Sequence, residues 1–268
     1  MKRKIKLIAS DLDGTLLTGD KRILPSSLET IEKARQAGVL FTVVTGRPLP
    51  SARRYIEVTG ADVPVVLYNG ALIVNFKSGE VLRSMELEPE DAARILALAE
   101  ELDTMACVWS QQKLYSNRRE GRIHEYKKLS QLEPIFIDNP AAIVAQGITK
   151  VIFDDEPERI SRLERELKKE PFKNVTLCVS DPDFLEFFNG QVSKGDALCW
   201  LGQHCGISPE EMLALGDADN DVPMLECAGG GVAMGNSFPA AIAAGDFITG
   251  SNDEDGFSQA VERFVLNP

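Results

Sequence analysis

Residues 5–15 read Ile-Lys-Leu-Ile-Ala-Ser-Asp-Leu-Asp-Gly-Thr, and this stretch decides the fold. Ile5 to Ser10 is a short apolar run, the pattern of a buried parallel strand. It breaks at Asp11, and Asp13-Gly14 reads as a turn. Two further runs end in the same way. Val39 to Thr45 stops at Gly46-Arg47-Pro48, and Val63 to Tyr68 stops at Asn69-Gly70. Helical stretches lie between them, one opening at Pro25 and closing at Gly38, the next running from about Ser51 to Val58. Strands alternating with helices predict βαβ units and a parallel sheet. Ligands of such sheets bind beyond the carboxyl ends of the strands, where these polar clusters fall.

The pattern changes near Val81. Hairpin-like strands at Met105–Ser110 with Lys113–Ser116, and at Val175–Val179 with Phe184–Phe188, mix with amphipathic and charged helices. This predicts an α+β module over residues 82–188, inserted between two α/β halves at 1–81 and 189–268. The α/β pattern resumes with a helix at Ser193–His204. A strand at Met212–Leu215 follows, ending in Gly216-Asp217-Ala218-Asp219-Asn220-Asp221. Another at Gly231–Met234 ends in Gly235-Asn236, and a last short strand lies at Phe247–Thr249.

Composition narrows the function. The chain has 268 residues, 44% hydrophobic and 26% charged, which is ordinary globular usage. Lys and Arg number 29 against 41 Asp and Glu, a formal net charge of −12. That balance gives no electrostatic footprint for nucleic acid or an anionic membrane. A small anionic substrate stays open, because a site can be locally positive. The five cysteines form no CxxC pair and read as reduced, mostly buried thiols of a cytoplasmic protein. Two histidines, His124 and His204, without HExxH supply zinc or serine-triad chemistry poorly. The first apolar run is too short for a signal peptide or a membrane span.

The strand ends carry the chemistry. Asp11, Asp13 and Asp217 would converge in a parallel sheet, and gathering three carboxylates costs free energy. A hard cation such as Mg²⁺ offsets that cost and keeps positions for phosphate oxygens. Ser193 reads as an N-cap, with Asp196 completing a capping box. That places Lys194 in the first helical turn, where an anion would make a cation favourable. Thr45 and Gly46 add a hydroxyl and a close backbone approach. Gly190 to Gly195 has GxxxxG spacing, but Asp196-Ala197 stands where a P-loop needs Lys and Ser or Thr. Trp109, Tyr115 and Tyr126 read as packing residues.

Together these motifs resemble the haloacid dehalogenase (HAD) superfamily, specifically its Cof-like phosphatases. DxDGT is Asp11-Leu12-Asp13-Gly14-Thr15, and the second motif is Thr45-Gly46-Arg47. The third is Lys194-Gly195-Asp196-Ala197-Leu198, and GDxxND is Gly216-Asp217 with Asn220-Asp221. Asn69-Gly70-Ala71 and Ala233-Met234-Gly235-Asn236 add subfamily-like signatures. The order is the family's, and the resemblance covers essentially the whole chain. One departure stands before the lysine: residues 189–195 read NGQVSKG where many members read roughly PKGVSKG, so the glycine is displaced by one.

The resemblance implies a Rossmann-like parallel-sheet core with a C2-type cap, B variant, as the inserted α+β domain that selects substrate. It implies Mg²⁺-dependent hydrolysis of a small phosphomonoester through an aspartyl phosphate, in the sugar phosphate, pyridoxal phosphate or flavin mononucleotide class. Asp11 would be the nucleophile and Asp13 the acid and base, with a raised carboxyl pKa. Leu12, Thr45, Gly46, Lys194 and Asn220 would hold the phosphate. Asp11, Asp13 through its carbonyl, and Asp217 would hold Mg²⁺, flanked by Arg47, Asn69 and Asp221, the last orienting water or Lys194. No nucleic-acid or membrane partner is expected, and the chain would be a monomer or weak homodimer. A phosphomutase or phosphotransferase using the same aspartate, and a non-catalytic phospho-ligand sensor, are the rival readings.

Overall fold

The computed structural model describes residues 4–130 and 132–267. The chain divides into two compact units. One takes residues up to Arg47, Ala52–Arg83 and Ser193 onward; the other takes Pro48–Ser51 and Ser84–Val192.

The first unit opens with β1 (Leu7–Ser10), α1 (Pro25–Gln36), β2 (Leu40–Val43) and α2 (Leu49–Thr59). Then come β3 (Val65–Leu67), β4 (Leu72–Val74) and β5 (Val81–Ser84). Pro25 sets the first turn of α1, and Gly38 at φ +80° turns the chain back toward β2.

The second unit holds α3 (Pro89–Glu101), β6 (Met105–Ser110), β7 (Lys113–Ser116), α4 (Ile123–Ser130), β8 (Ile135–Phe136) and α5 (Pro140–Ala145). It continues with β9 (Lys150–Asp154), α6 (Pro157–Leu167), β10 (Val175–Asp181) and β11 (Phe184–Asn189). The chain returns to the first unit with α7 (Lys194–Cys205), β12 (Met212–Gly216), α8 (Val222–Cys227) and β13 (Gly230–Ala233). It ends in α9 (Pro239–Ala244), β14 (Phe247–Ile248) and α10 (Gly256–Val261).

In the first unit β14-β13-β12-β1-β2 form a parallel sheet. Its register puts Ser10 opposite both Val43 and Leu215, so β1, β2 and β12 end level with one another. Asp11 N–H then donates to the Leu215 carbonyl at 3.0 Å, and Val44 N–H to the Ser10 carbonyl at 2.9 Å. The polar residues after these strands therefore emerge side by side. Leu7, Ala9, Ala214, Leu198 and Leu201 pack into the apolar core beneath them.

The run at Val63–Tyr68 does not extend the main sheet as a full strand. Val66 makes one parallel bridge to Val44, while β3 pairs antiparallel with β4 in a separate three-stranded sheet that ends in β5. The second unit has its own sheet, β10-β11-β9-β6-β7-β8, antiparallel except for β7 with β8. Alternate residues of it, Ala106, Val108, Val151, Phe153, Leu185 and Phe187, pack with Ile95, Ile160 and Leu163 of the helices.

The cysteines depart from the expectation that all five are reduced. Cys199 of α7 and Cys227 of α8 form a disulfide, while Cys107, Cys178 and Cys205 are free thiols. The two helices pack against each other, Gly195 leaving no room for a Cβ against the Pro223 carbonyl, and this neighbourhood brings the half-buried sulfurs together.

Candidate active site

Asp11 follows the last residue of β1, Asp217 and Asp221 lie in the turn after β12, and Lys194 opens α7. Among the described residues, Asp11, Asp217 and Asp221 offer carboxylate oxygens within 4.8 Å of one another, and all three are buried. Lys194 is 1% exposed. Its Nζ donates to Asp11 Oδ1 at 2.7 Å, across 183 residues of sequence, and to Asp221 Oδ1 at 2.5 Å.

Ser193 caps α7 as expected, its Oγ accepting from Asp196 N–H at 3.0 Å. The reciprocal half of the capping box is not made. The Asp196 carboxylate pairs instead with Arg83 at 2.7 Å. The cation that opposes the helix dipole at this end is met by the two buried carboxylates.

Asp221 is fully occupied. Its Oδ1 takes Lys194, while Oδ2 accepts the N–H groups of Asp217 at 2.9 Å and Ala218 at 3.0 Å. It therefore shapes the turn that aims Asp217. Thr15 donates its hydroxyl to Asp217 Oδ1 at 2.8 Å. Gly14 is needed at φ +78°, because a Cβ there would stand 2.3 Å from Asp217 Oδ2. Asn236 Nδ2 donates to the Gly14 carbonyl at 2.8 Å.

Burial raises the Asp11 carboxyl well above its ordinary range. Lys194 opposes the shift, and the neighbouring Asp221 and Asp217 charges add to it. Asp217 is likewise pushed up to about 6, by burial first and with Asp221 adding to it. Burial acts against the Lys194 charge, yet Asp11 and Asp221 outweigh it and hold the ammonium above its ordinary value. Three carboxylates around one ammonium leave two negative charges uncompensated, the charge of one divalent cation. An oxygen-only donor set of this kind suits a hard cation.

Asp13 behaves otherwise. Its carboxylate takes Arg47 at both ends, Nε to Oδ2 at 2.5 Å and Nη2 to Oδ1 at 2.7 Å, and Lys21 Nζ at 2.7 Å. Burial acts to raise its pKa, but the Arg47 and Lys21 hydrogen bonds and charges prevail and lower it to about 2. The expected raised value is thus corrected: two cations reach this carboxyl, while Asp11 and Asp217 lie deeper, where the charge that opposes burial and the neighbouring carboxylates is that of Lys194. Lys21 carries no motif signal. It sits at φ +62°, a conformation rare for a side-chain-bearing residue and the only local hint of a special role.

The remaining residues flank this group. Leu12 is wholly buried. Thr45 Oγ1 accepts from Arg47 N–H at 3.2 Å. Asn69, in the left-handed region at φ +58°, accepts from Asn220 Nδ2 at 2.9 Å. Gly46 lies against the same amide, where a Cβ would stand 2.7 Å from Asn69 Oδ1.

An α/β protein with an acidic, lysine-centred site at the ends of its parallel strands is what this fold and geometry define. The sequence profile of the haloacid dehalogenase-like hydrolases matches residues 8–261, and the chain belongs to that family. It is 34% identical over 270 residues to the Bacillus subtilis (strain 168) protein YxeH, covering 97% of this chain and 98% of that one. It is 30% identical over 238 residues to an HMP-PP phosphatase of Citrobacter koseri, covering 89% of this chain and 87% of that one. A solved haloacid dehalogenase-like hydrolase from Bacteroides thetaiotaomicron superposes with a TM-score of 0.88 at 26% identity, covering 97% of this chain and 99% of that one. No helix among the described residues is long and apolar enough to cross a membrane.

Proposed function

We propose that this enzyme hydrolyses a small-molecule phosphomonoester with Mg²⁺ as cofactor. The observation that carries the reading is the buried cluster of Asp11, Asp217 and Asp221 around Lys194 at the ends of a parallel sheet. The name of the Citrobacter koseri relative, a phosphatase, points the same way. Asp11, with Asp217 and the Asp13 carbonyl, would hold Mg²⁺. The ion would neutralise phosphoryl charge when bound.

Asp11 attacks phosphorus through a carboxylate oxygen, and the bond from phosphorus to the ester oxygen breaks. Asp13 gives its proton to the departing oxygen, then takes one from the water that cleaves the aspartyl phosphate. As found, with Arg47 and Lys21 on it, Asp13 is a base ready for the second half-reaction. The first half-reaction requires those contacts to loosen so that it can carry a proton. Lys194 keeps Asp11 aimed and shares its charge with phosphate oxygens. Thr45, the Gly46 N–H, the Leu12 backbone and Asn220 are assigned to the same oxygens, and Asn69 holds Asn220. The inserted domain, residues 82–188, is assigned the choice among sugar phosphates, pyridoxal phosphate, flavin mononucleotide and similar esters.

The test is phosphate release from p-nitrophenyl phosphate and a panel of metabolite phosphates, with Mg²⁺ or EDTA. Metal-dependent release that Asp11→Asn abolishes is expected. Folded protein that releases no phosphate from any ester would overturn the reading in favour of transfer to another acceptor or of ligand sensing.

A further inference from the structure

Two cations hold Asp13, and both lead back to one side chain. Tyr55 of α2 is 5% exposed. Its hydroxyl donates to the Lys21 carbonyl at 3.1 Å. Its ring lies 5.1 Å from the guanidinium carbon of Arg47, a cation–π distance. Arg54 donates to the same hydroxyl, which fixes its orientation toward Lys21. Lys21 itself stands in a tight turn, its N–H on the Thr18 carbonyl at 2.9 Å and the Thr18 N–H on the Arg22 carbonyl at 2.9 Å. A lysine at φ +62° costs free energy, and such strain persists only where surrounding contacts impose it. The Tyr55 hydroxyl is one of those contacts.

We infer that Tyr55 is a positioning residue for the acid–base carboxyl of Asp13. It acts through the Lys21 turn with its hydroxyl and through Arg47 with its ring. The inference rests on the reading of Asp13 given above. Tyr55 touches no reacting atom. It sets where the Asp13 carboxyl stands when its proton passes to the ester oxygen as the phosphorus–oxygen bond breaks, the bonding pair leaving on that oxygen. Tyr55 keeps Lys21 and Arg47 in place beside this carboxyl while their hydrogen bonds to it loosen for protonation; without Tyr55 the carboxyl is misplaced, and small misplacements of a catalytic group are costly in rate.

The leaving group separates this role from simple packing. p-Nitrophenolate departs without a proton, whereas phenolate, whose acid has a pKa of about 10 like tyrosine, leans on the acid. The probes are p-nitrophenyl phosphate and phenyl phosphate, with kcat/KM as the readout because it reports the chemistry through the first committed step. Tyr55→Phe keeps the ring over Arg47 and removes the hydroxyl. It is expected to lower kcat/KM about tenfold for phenyl phosphate, part of a typical acid–base contribution, and less than threefold for p-nitrophenyl phosphate. Tyr55→Leu, which also removes the ring, should widen the gap between the two esters. Equal losses on both esters, or no loss on either, in variants with native circular dichroism would overturn the inference. Wild type and Asp11→Asn are run beside them. A wild type without metal-dependent turnover refutes the phosphatase reading and this inference with it. An active wild type with a flat Tyr55→Phe refutes only this inference.

Discussion

Asp217 carries its carboxyl at about 6 against an ordinary 3.8, chiefly because it is buried. A carboxyl raised by folding binds its proton more tightly in the native state than in the unfolded one. The stability this contributes is complete below about 3.8 and is lost as pH rises through about 6. Asp13 has the opposite sign, but at about 2 its contribution is constant above pH 5. Metal-free protein should therefore melt at a higher temperature at pH 5 than at pH 7, and Asp217→Asn should flatten that slope. A divalent cation needs the deprotonated form, so stabilisation by Mg²⁺ should grow from pH 5 to pH 7. Thermal unfolding in EDTA and in Mg²⁺ at three pH values checks both statements. Equal slopes for wild type and Asp217→Asn would show that Asp217 does not titrate there.

Lys194 bears on stability through its two ion pairs. It is buried between Asp11 and Asp221, and its removal leaves two buried carboxylates without their ammonium. Breaking a buried pair in this way costs about 3–5 kcal/mol. Lys194→Met should lower stability by that order in denaturant unfolding, as well as activity. The aspartates, Lys194 and the Thr45-Gly46-Arg47 turn were legible in the sequence because each follows a strand or opens a helix. The second partner of Asp13 was not. Lys21 lies on a turn eight residues away with no motif around it, and its ammonium reaches Asp13 only because the turn folds back. A reading of residue types also missed that Asp13 would be drawn down rather than up.

Among the elements, α7 and α8 are joined by Cys199–Cys227, closing a loop with a sequence separation of 28. α7 begins at Lys194 and α8 follows Asp221, so the crosslink ties together the two elements that carry the ion pair. A spacing of this kind has no signature in a sequence, since pairing depends on which helices pack. Labelling of the denatured, unreduced protein should find three free thiols, those of Cys107, Cys178 and Cys205. Cys199→Ser should cost about 3–4 kcal/mol on the chain-entropy estimate for a loop of this length. Five labelled thiols would remove the crosslink. The strand boundaries at Met105–Ser110 and Lys113–Ser116 were readable from apolar patterning alone. β4 and α9 were not, because Leu72–Val74 is three residues long and Pro239–Ala244 is an alanine-rich turn and a half.

At the scale of the whole molecule the two units differ in how the chain builds them. Apart from Pro48–Ser51, the second is one continuous segment, Ser84–Val192, with its own six-stranded sheet and its own apolar core from Ile95 to Phe187. The first is assembled from separated segments, and its central strand β1 lies between β2 and β12, one from each side of the insertion. A chain cut after residue 192 therefore loses β12, β13 and β14 and leaves β1 with a bare edge. It also loses Lys194, Asp217 and Asp221. The insertion loses nothing of its sheet by the same cut. Residues 84–192 produced alone should unfold cooperatively on heating, while a 1–192 chain should show that same transition and no second one. Protease treatment of the 1–192 chain should leave a resistant fragment close to 84–192, identified by mass. A core that stays protected without β12 would show that β1 and β2 suffice to hold it. A cooperative insertion beside an unfolded core would mean that the cluster of Asp11, Lys194, Asp217 and Asp221 forms only when both halves of the chain have been made.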